Sequence, residues 1–343
     1  MRVSVYYSNN DIRIEERAVP KISKGELLIR VVASGICGSD VMEWYRINRV
    51  PLVLGHEIAG EIAEVGEDVK RYKKGQRIAC SHHVPCGKCH YCRMGHPTVC
   101  ETLRKTNFDP GGFSEFVRLP AINMELGGVY PLPDNVSYEE ATFIEPLACV
   151  LRGQKLANIR PGQTVLVMGS GVSGLLHIQM AKANAAAKVI ATDVMGYRLK
   201  TAKDLGADVV FEAGKYNPEE LRQINDGRLA DLVILCAGAP QAIEQALKSI
   251  EIGGTILFFA AAGKDATLTF DINKLFWRNE ITLTSSYAAT PDEHIEALRL
   301  IRDRKINVKE MITHRFGLAD TDKGFKLVAE PKDSIKVIIE PQR

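Results

Sequence analysis

The chain has 343 residues, and its composition excludes several classes of protein. Lys and Arg number 44 against 42 Asp and Glu, a formal net charge of +2, which disfavours nucleic acid as a partner. The sequence contains no apolar run long enough to span a bilayer and begins without the pattern of a secretory signal. We therefore expect a cytoplasmic protein with no membrane partner, and its length favours two domains.

The first part of the chain, residues 1–153, has the pattern of a β-rich domain. Short alternating runs such as ELLIRVVASG and IAGEIAEVG are separated by Gly and Pro about every ten residues. Alternation with this punctuation indicates strands joined by turns and loops.

After residue 153 the pattern changes to strands that alternate with helices. Six runs are strand-like, namely TVLVM, KVIAT, DVVF, LVILC, TILFFA and ITLTSS, and most segments between them have helical spacing. This alternation predicts an α/β fold with a doubly wound parallel sheet. The tail adds an amphipathic helix, PDEHIEALRLIRDRK, and a strand, SIKVIIEP, without indicating which domain receives them.

The segment TVLVMGSGVSGLLHIQMAKA carries a G-x-G-x-x-G pattern between a strand and a helix. The next strand ends at Asp193, 19 residues after Gly174, where a carboxylate can accept from the ribose hydroxyls of a dinucleotide. Because a carboxylate repels a 2′-phosphate, we expect NAD rather than NADP. NADP stays an alternative, since an arginine such as the nearby Arg198 can help to accommodate that phosphate. The alternative is that the glycines only let the helix pack closely on the strand. The expected cofactor-binding residues are Gly169, Gly171, Val172, Gly174, Asp193 and Arg198.

The segment CGKCHYCRMGHPTVC spaces four cysteines as C-x2-C-x2-C-x7-C. Four thiolates can close a tetrahedral shell around a structural zinc ion. The iron–sulfur motif of ferredoxins differs after its third cysteine, so zinc is the favoured metal. A closed shell leaves no place for a substrate, and the chemistry is expected elsewhere. The ligands of this site are Cys86, Cys89, Cys92 and Cys100.

A second set of candidate ligands lies in GICGSD, GHEIAGEIAEVGEDV and FIEPLACVLRG. Cys37, His56 and Glu145 would give a thiolate, an imidazole and a carboxylate, leaving a fourth zinc position open as in catalytic sites. Spacing alone does not select Glu145 from 42 acidic residues. A carboxylate that caps a helix or pairs with Arg152 is the alternative.

The order of these motifs resembles that of the zinc-dependent medium-chain dehydrogenase/reductase family, in its sorbitol/threonine (polyol) dehydrogenase-like branch. The signature GHE-x2-G-x5-G-x2-V fits from Gly55 to Val69, and GICGSD, the cysteine loop, GGFSEFV and the glycine loop are also present. The resemblance implies Glu145 as the third ligand, directly or through water. It also implies a GroES-like catalytic domain of residues 1–153 with 288–343, a Rossmann NAD-binding domain of residues 154–287, and a homodimer or homotetramer.

The same resemblance implies the roles of three further residues: Ser39 carries the proton of the alcohol, Asp40 orients His56, and Glu57 lies close to the metal. Two positions depart from the branch, because Met42 and Ser286 stand where polyol dehydrogenases often have histidine and arginine. A thioether carries no proton, so the route of proton release stays open, and sorbitol itself is a doubtful substrate.

The expected reaction is hydride transfer between NAD and a secondary alcohol: a polyol, a diol, a sugar-like compound or a hydroxy amino acid. The alternatives are an NADP-preferring sugar dehydrogenase, an aldehyde or ketone reductase, and a non-catalytic redox sensor that binds NAD and zinc. A zinc-ribbon module for nucleic acid is disfavoured by the near-neutral charge.

Overall fold

The computed structural model describes residues 1–330 and 332–343 and divides the chain into two compact units. The first unit combines Met1–Ala148 with Ala288–Arg343, and the second unit is Cys149–Tyr287. In the described residues, no helix is long and apolar enough to cross a membrane.

The first unit is built mainly of strands. A three-stranded sheet has the order β2-β1-β4, and a seven-stranded sheet has the order β15-β16-β3-β5-β6-β8, with β7 paired to β3. Most of its pairs are antiparallel, and β15 with β16 is parallel. Numbered along the whole chain, its strands are β1 (Arg2–Ser8), β2 (Asp11–Glu16), β3 (Leu27–Gly35), β4 (Leu52–Val53), β5 (Glu57–Val65), β6 (Arg77–Cys80), β7 (Phe116–Leu119), β8 (Val129–Pro131), β15 (Ile312–Gly317) and β16 (Lys336–Glu340).

The helices of this unit are mostly single turns between strands. One of the longer helices begins at Pro291, where the sequence supplies a cap. Thr290 and Glu293 form a capping box, and Pro291 occupies the first turn. The helices are α1 (Glu43–Arg46), α2 (His90–Arg93), α3 (Glu101–Lys105), α4 (Ala121–Glu125), α5 (Tyr138–Ala141), α6 (Ile144–Leu156), which continues into the second unit, α12 (Pro291–Arg302) and α13 (Thr321–Ala329). Short 3₁₀ turns occupy Ile47–Arg49, Pro97–Val99, Lys309–Met311 and Leu318–Asp320.

The tail of the chain completes the first unit. Strand β16 pairs with β3, placing Ile338 beside Gly35 and Ile339 beside Ser34. Its apolar side chains pack with Tyr6, Phe113 and Phe325 in one core cluster, and a second cluster lies around β3, β5 and β6. Apolar burial of this kind is the main stabilising term for such a unit.

The second unit is a six-stranded parallel sheet with the order β11-β10-β9-β12-β13-β14. The strand order reverses at β9, and in doubly wound sheets ligands bind beyond the carboxyl ends of the strands at such a point. All five residues of β9 are buried, in agreement with the apolar run that follows Thr164. The elements are β9 (Thr164–Met168), β10 (Lys188–Asp193), β11 (Val209–Glu212), β12 (Ala230–Leu235), β13 (Ile250–Phe258), β14 (Thr282–Ser285), α7 (Val172–Ala183), α8 (Gly196–Asp204), α9 (Pro218–Ile224), α10 (Pro240–Ser249) and α11 (Ile272–Leu275).

Both predicted fold types are therefore present. The six strand-like runs of the sequence each overlap one strand of the parallel sheet. The predicted tail helix and tail strand are α12 and β16.

Candidate metal and nucleotide sites

Three side chains of the first unit converge on one point. Cys37 follows β3, His56 immediately precedes β5, and Glu57 is the first residue of β5. The pairing of Gly35 with Glu57 brings the two strand ends together, and one donor atom from each of Cys37, His56 and Glu57 lies within 4.8 Å of the others. Sulfur, nitrogen and oxygen donors at this spacing suit zinc, whose ligand distances are about 2.0–2.3 Å.

The carboxylate beside Cys37 and His56 is that of Glu57, and Glu145 lies outside this trio. Glu145 is the second residue of α6 and lines a small cavity together with Glu57, Tyr130 and His294. Its predicted role as a zinc ligand therefore stays a prediction, with direct binding and binding through water both open.

A buried carboxylate, Asp40, supports this trio. Its Oδ2 accepts a hydrogen bond from the Cys37 backbone N–H at 3.1 Å, and its Oδ1 lies 3.5 Å from His56 Nδ1. Burial alone would raise the pKa of Asp40, but the neighbouring His56 and Arg46 hold it below its usual value. Conversely, burial would lower the pKa of His56, but Asp40 and Cys37 raise it well above the ordinary value. Asp40 thus lies where a carboxylate would orient an imidazole ligand.

Ser39 contacts both this trio and Arg46, an arginine that no sequence motif singled out. Its hydroxyl donates to Cys37 Sγ at 3.4 Å and accepts from Arg46 Nη2 at 3.3 Å. Arg46 Nε also donates to the Ser39 carbonyl at 3.0 Å. Arg46 is the last residue of α1, and no spacing rule connects it with GICGSD.

A second residue outside the sequence predictions is Lys336. Its ammonium group forms a buried ion pair with Glu57, and both side chains are only 1% exposed. Gly35 leaves the room for this pair, because a Cβ at that position would collide with both side chains. The sequence did contain a signal, since Lys336 interrupts the apolar tail strand SIKVIIEP, and a lysine is buried only when it is paired.

Two consecutive histidines border the trio and were also not singled out from the sequence. The His82 ring lies 4.9 Å from that of His56 and 3.7 Å from that of His83. Burial, with the neighbouring His83, lowers the pKa of His82 well below its ordinary value. These rings therefore add neutral, aromatic surroundings to the trio.

The four-cysteine loop gathers its sulfurs as predicted for a metal shell. One sulfur from each cysteine lies within 4.8 Å of the others. Cys92 Sγ is 3.5 Å from Cys89 Sγ and 4.0 Å from Cys86 Sγ, close to the edge of about 3.8 Å of a zinc–thiolate tetrahedron with bonds of 2.3 Å. The residues fit a zinc ion, and His90 and His96 are exposed outside the group.

The glycine loop of the second unit has the geometry of a turn that admits only glycine at two positions. Gly169 has φ +97°, and a Cβ on Gly174 would collide with the Gly169 carbonyl. Gly171 caps α7, which starts at Val172. Backbone N–H groups at such a helix start are a suitable site for a pyrophosphate.

The predicted ribose acceptor, Asp193, is 6% exposed and already holds the glycine loop. Its Oδ2 accepts from the Ser170 N–H at 2.7 Å and its Oδ1 from the Met195 N–H at 2.9 Å. Each carboxylate oxygen has a further lone pair, so a ribose contact is still possible. Arg198 lies close to Gly171, with Nη1 3.7 Å from the position that a Cβ there would take.

Comparison with known proteins decides the family. Residues 23–134 match the alcohol dehydrogenase GroES-like domain and residues 173–303 match the zinc-binding dehydrogenase domain. The chain belongs to the zinc-dependent medium-chain dehydrogenase/reductase family. It is 33% identical to the sorbitol dehydrogenase of Bacillus subtilis over 100% of this chain and 98% of that protein.

Solved structures of this dehydrogenase family agree over the whole chain. Galactitol-1-phosphate dehydrogenase from Escherichia coli has a TM-score of 0.86 and 28% identity, covering 99% of this chain and 100% of that one. 2R,3R-butanediol dehydrogenase from Bacillus subtilis has a TM-score of 0.85 and 26% identity, with 99% of each chain covered. The predictions of the polyol dehydrogenase branch, of the GroES-like and Rossmann folds and of an oxidoreductase are confirmed.

Proposed function

We propose that this dehydrogenase oxidises a secondary alcohol of a polyol, diol or sugar-like compound with NAD. The observation that carries the proposal is the convergence of Cys37, His56 and Glu57, with the Ser39 hydroxyl 3.4 Å from the Cys37 sulfur. A non-catalytic binder needs neither an open set of metal donors nor a hydroxyl beside them, which disfavours the redox-sensor alternative.

The residues divide the work of the reaction among them. A zinc ion held by the trio would supply a Lewis acid for the alcohol oxygen, and NAD would accept the hydride. Ser39 takes the proton of the alcohol, because it is the hydroxyl next to the trio. Asp40 holds His56 and the Cys37 backbone N–H in place.

We also propose two zinc ions per chain, one at the trio and one at the four-cysteine loop. Glu57 is supported as a direct ligand by its distance to Cys37 and His56. Glu145, on the wall of the cavity behind Glu57, is suited to an indirect contact through water.

We also propose the cofactor, the cellular compartment and the assembly. Asp193 favours NAD over NADP, with the second unit as the nucleotide-binding domain and the first unit as the catalytic domain. All eight cysteines are free, as in a reducing, cytoplasmic compartment. A homodimer or homotetramer is the expected assembly.

The names of the relatives suggest which substrates to test first. Sorbitol, galactitol 1-phosphate and 2,3-butanediol are the compounds in those names. The absence of arginine before Tyr287, where Ser286 stands, makes sorbitol the least favoured of the three.

The test is a substrate screen with the zinc-loaded protein. Polyols, diols, inositols, sugar phosphates and β-hydroxy amino acids are each mixed with NAD or NADP, and reduced cofactor is followed by absorbance. The expected result is turnover of at least one polyol or diol with NAD preferred. Cys37→Ala should abolish turnover while NAD still binds, as measured by calorimetry. Reduction of aldehydes alone, preference for NADP, or full activity in Cys37→Ala would each contradict the proposal.

A further inference from the structure

We infer that Arg46 is a positioning residue that holds the Ser39 hydroxyl in its proton-accepting orientation. The inference rests on the proposed dehydrogenase function, in which Ser39 receives the proton of the alcohol. It addresses the step that Met42 leaves open, because a thioether cannot act as a proton carrier.

The guanidinium group contacts Ser39 at two points. Arg46 Nε donates to the Ser39 carbonyl oxygen at 3.0 Å, and Nη2 donates to Ser39 Oγ at 3.3 Å. These two nitrogens form one edge of the planar guanidinium, so a single side chain fixes both the backbone and the hydroxyl of Ser39. Lysine lacks the rigid, planar pair of donor nitrogens and reproduces this contact only in part.

The contact determines which part of the hydroxyl remains available. A guanidinium has donors only, so Ser39 Oγ accepts from Arg46 with one lone pair. One lone pair and one hydrogen remain, and the hydrogen is directed to Cys37 Sγ at 3.4 Å. An acceptor and a donor on one oxygen are what a proton relay requires.

The proton balance of the step uses both groups. The O–H bond of the alcohol breaks as its proton moves to the free lone pair of Ser39 Oγ. The original Ser39 hydrogen turns from Cys37 Sγ to a water molecule, to which it passes as a proton. NAD, when bound, would supply the acceptor for the carbinol hydride and its electron pair. The fixed cation of Arg46 disfavours two hydrogens on Ser39 Oγ, so the original hydrogen leaves as the proton of the alcohol arrives.

Arg46 is itself held firmly. Its side chain is 15% exposed, its Nη2 lies 3.5 Å from Asp40 Oδ1, and its Cζ lies 4.7 Å from the centre of the Tyr45 ring. Arg49 provides a matched comparison, because it lies over the same ring at 4.9 Å but is exposed. In the described residues it has no hydrogen bond to Ser39.

The kinetic test is a double-mutant cycle on the zinc-loaded protein with Arg46→Met, Ser39→Ala and the double variant, and with Arg49→Met as control. We expect Arg46→Met to lower kcat by about 10- to 100-fold with little change in KM, since small displacements of reacting groups have effects of this size. The double variant should be no slower than Ser39→Ala, because the arginine acts through the serine. Arg46→Lys should recover only part of the loss, and Arg49→Met should match the parent.

The zinc content and the Kd for NAD are measured for each variant and are expected to be unchanged. An additive loss in the double variant, an unchanged kcat in Arg46→Met, or loss of zinc in Arg46→Met would each overturn the positioning role.

A crystallographic test decides the inference without any turnover. In the parent protein Ser39 Oγ should occupy one rotamer, and in Arg46→Met it should occupy several. A single, unchanged Ser39 rotamer in Arg46→Met would overturn the inference even if the substrate screen succeeds. Failure of the screen with the expected change of rotamer would instead remove the proposed function alone.

Discussion

The acid sensitivity of the second unit is expected to depend on one buried histidine, His177. It lies on α7, next to the glycine loop, and is 0% exposed. Its Nδ1 is 3.2 Å from Gln154 Nε2, a donor that also bonds to the His177 carbonyl at 2.9 Å. The Gln154 side-chain amide is held against a flip of its O and N atoms, because its Oε1 accepts a hydrogen bond from Asn184 Nδ2 at 2.9 Å. The ring is therefore held neutral, with Nδ1 as an acceptor.

The size of the effect follows from the two protonation states. Burial lowers the pKa of His177 to about 3, whereas the unfolded chain has about 6.5. Below pH 6.5 the unfolded state binds a proton that the folded state excludes, so stability is lost as the pH falls toward 3. At pH 5 the loss is about 2 kcal/mol, from about 1.5 pH units at about 1.4 kcal/mol each.

The measurement is the urea dependence of hydrogen exchange for peptides of β9 and α7, at pH 8 and at pH 5, in the parent and in His177→Leu. The variant removes the titrating ring, and its pH-independent cost is read at pH 8. Between pH 8 and pH 5 the parent should lose about 2 kcal/mol more than the variant. Acid release of metal affects both proteins equally and cancels in the difference. Equal losses in the two proteins would refute the reasoning.

Three further outcomes are expected. Cys92→Ser should lower the zinc content from two ions per chain to one, measured by mass spectrometry of the metal, without loss of NAD binding. Lys336→Met should lower the free energy of unfolding of the metal-free protein by about 3–5 kcal/mol in urea, because Glu57 remains buried without its cation. Asp193→Asn should lower the free energy of unfolding by about 1–3 kcal/mol and weaken NAD binding measured by calorimetry. The reason is that the amide NH₂ of asparagine would face one of the two backbone N–H groups that the carboxylate now accepts from.

Matched controls exist for each of these. His96→Ala, an exposed change in the cysteine loop, should leave two zinc ions. Lys323→Met breaks a solvent-exposed pair with Asp320 and should leave the free energy of unfolding nearly unchanged. Asp204→Asn, on an exposed pair with Lys200, should leave NAD binding unchanged. Two zinc ions in Cys92→Ser, or effects in the other two variants no larger than in their controls, would contradict the corresponding explanation.

The fold was largely predictable because its signals are local. Unbroken apolar runs mark the strands of the parallel sheet, and the spacing of Gly169 and Gly174 matches a turn that excludes side chains. The cysteine loop was predictable for the same reason, since its four ligands lie within 15 residues.

The surroundings of the metal trio were not predictable in this way. Cys37 and His56 come from different strand ends. The resemblance implied Glu145 as the third ligand and placed Glu57 only close to the metal. Arg46 and Lys336 act through contacts that depend on strand pairing and on the packing of α1. Pairing between β3 and a strand more than 300 residues later leaves no periodic pattern in the sequence.

The placement of β16 has a consequence for how the protein is made. Lys336, the counter-ion of buried Glu57, leaves the ribosome after the whole of the second unit, whereas the metal trio leaves before it. During synthesis the nascent first unit therefore lacks both a sheet neighbour for β3 and a positive charge for Glu57, while the second unit already has its full sequence. The inserted unit can mature first, and the metal trio reaches its final surroundings only after the second unit has been synthesised.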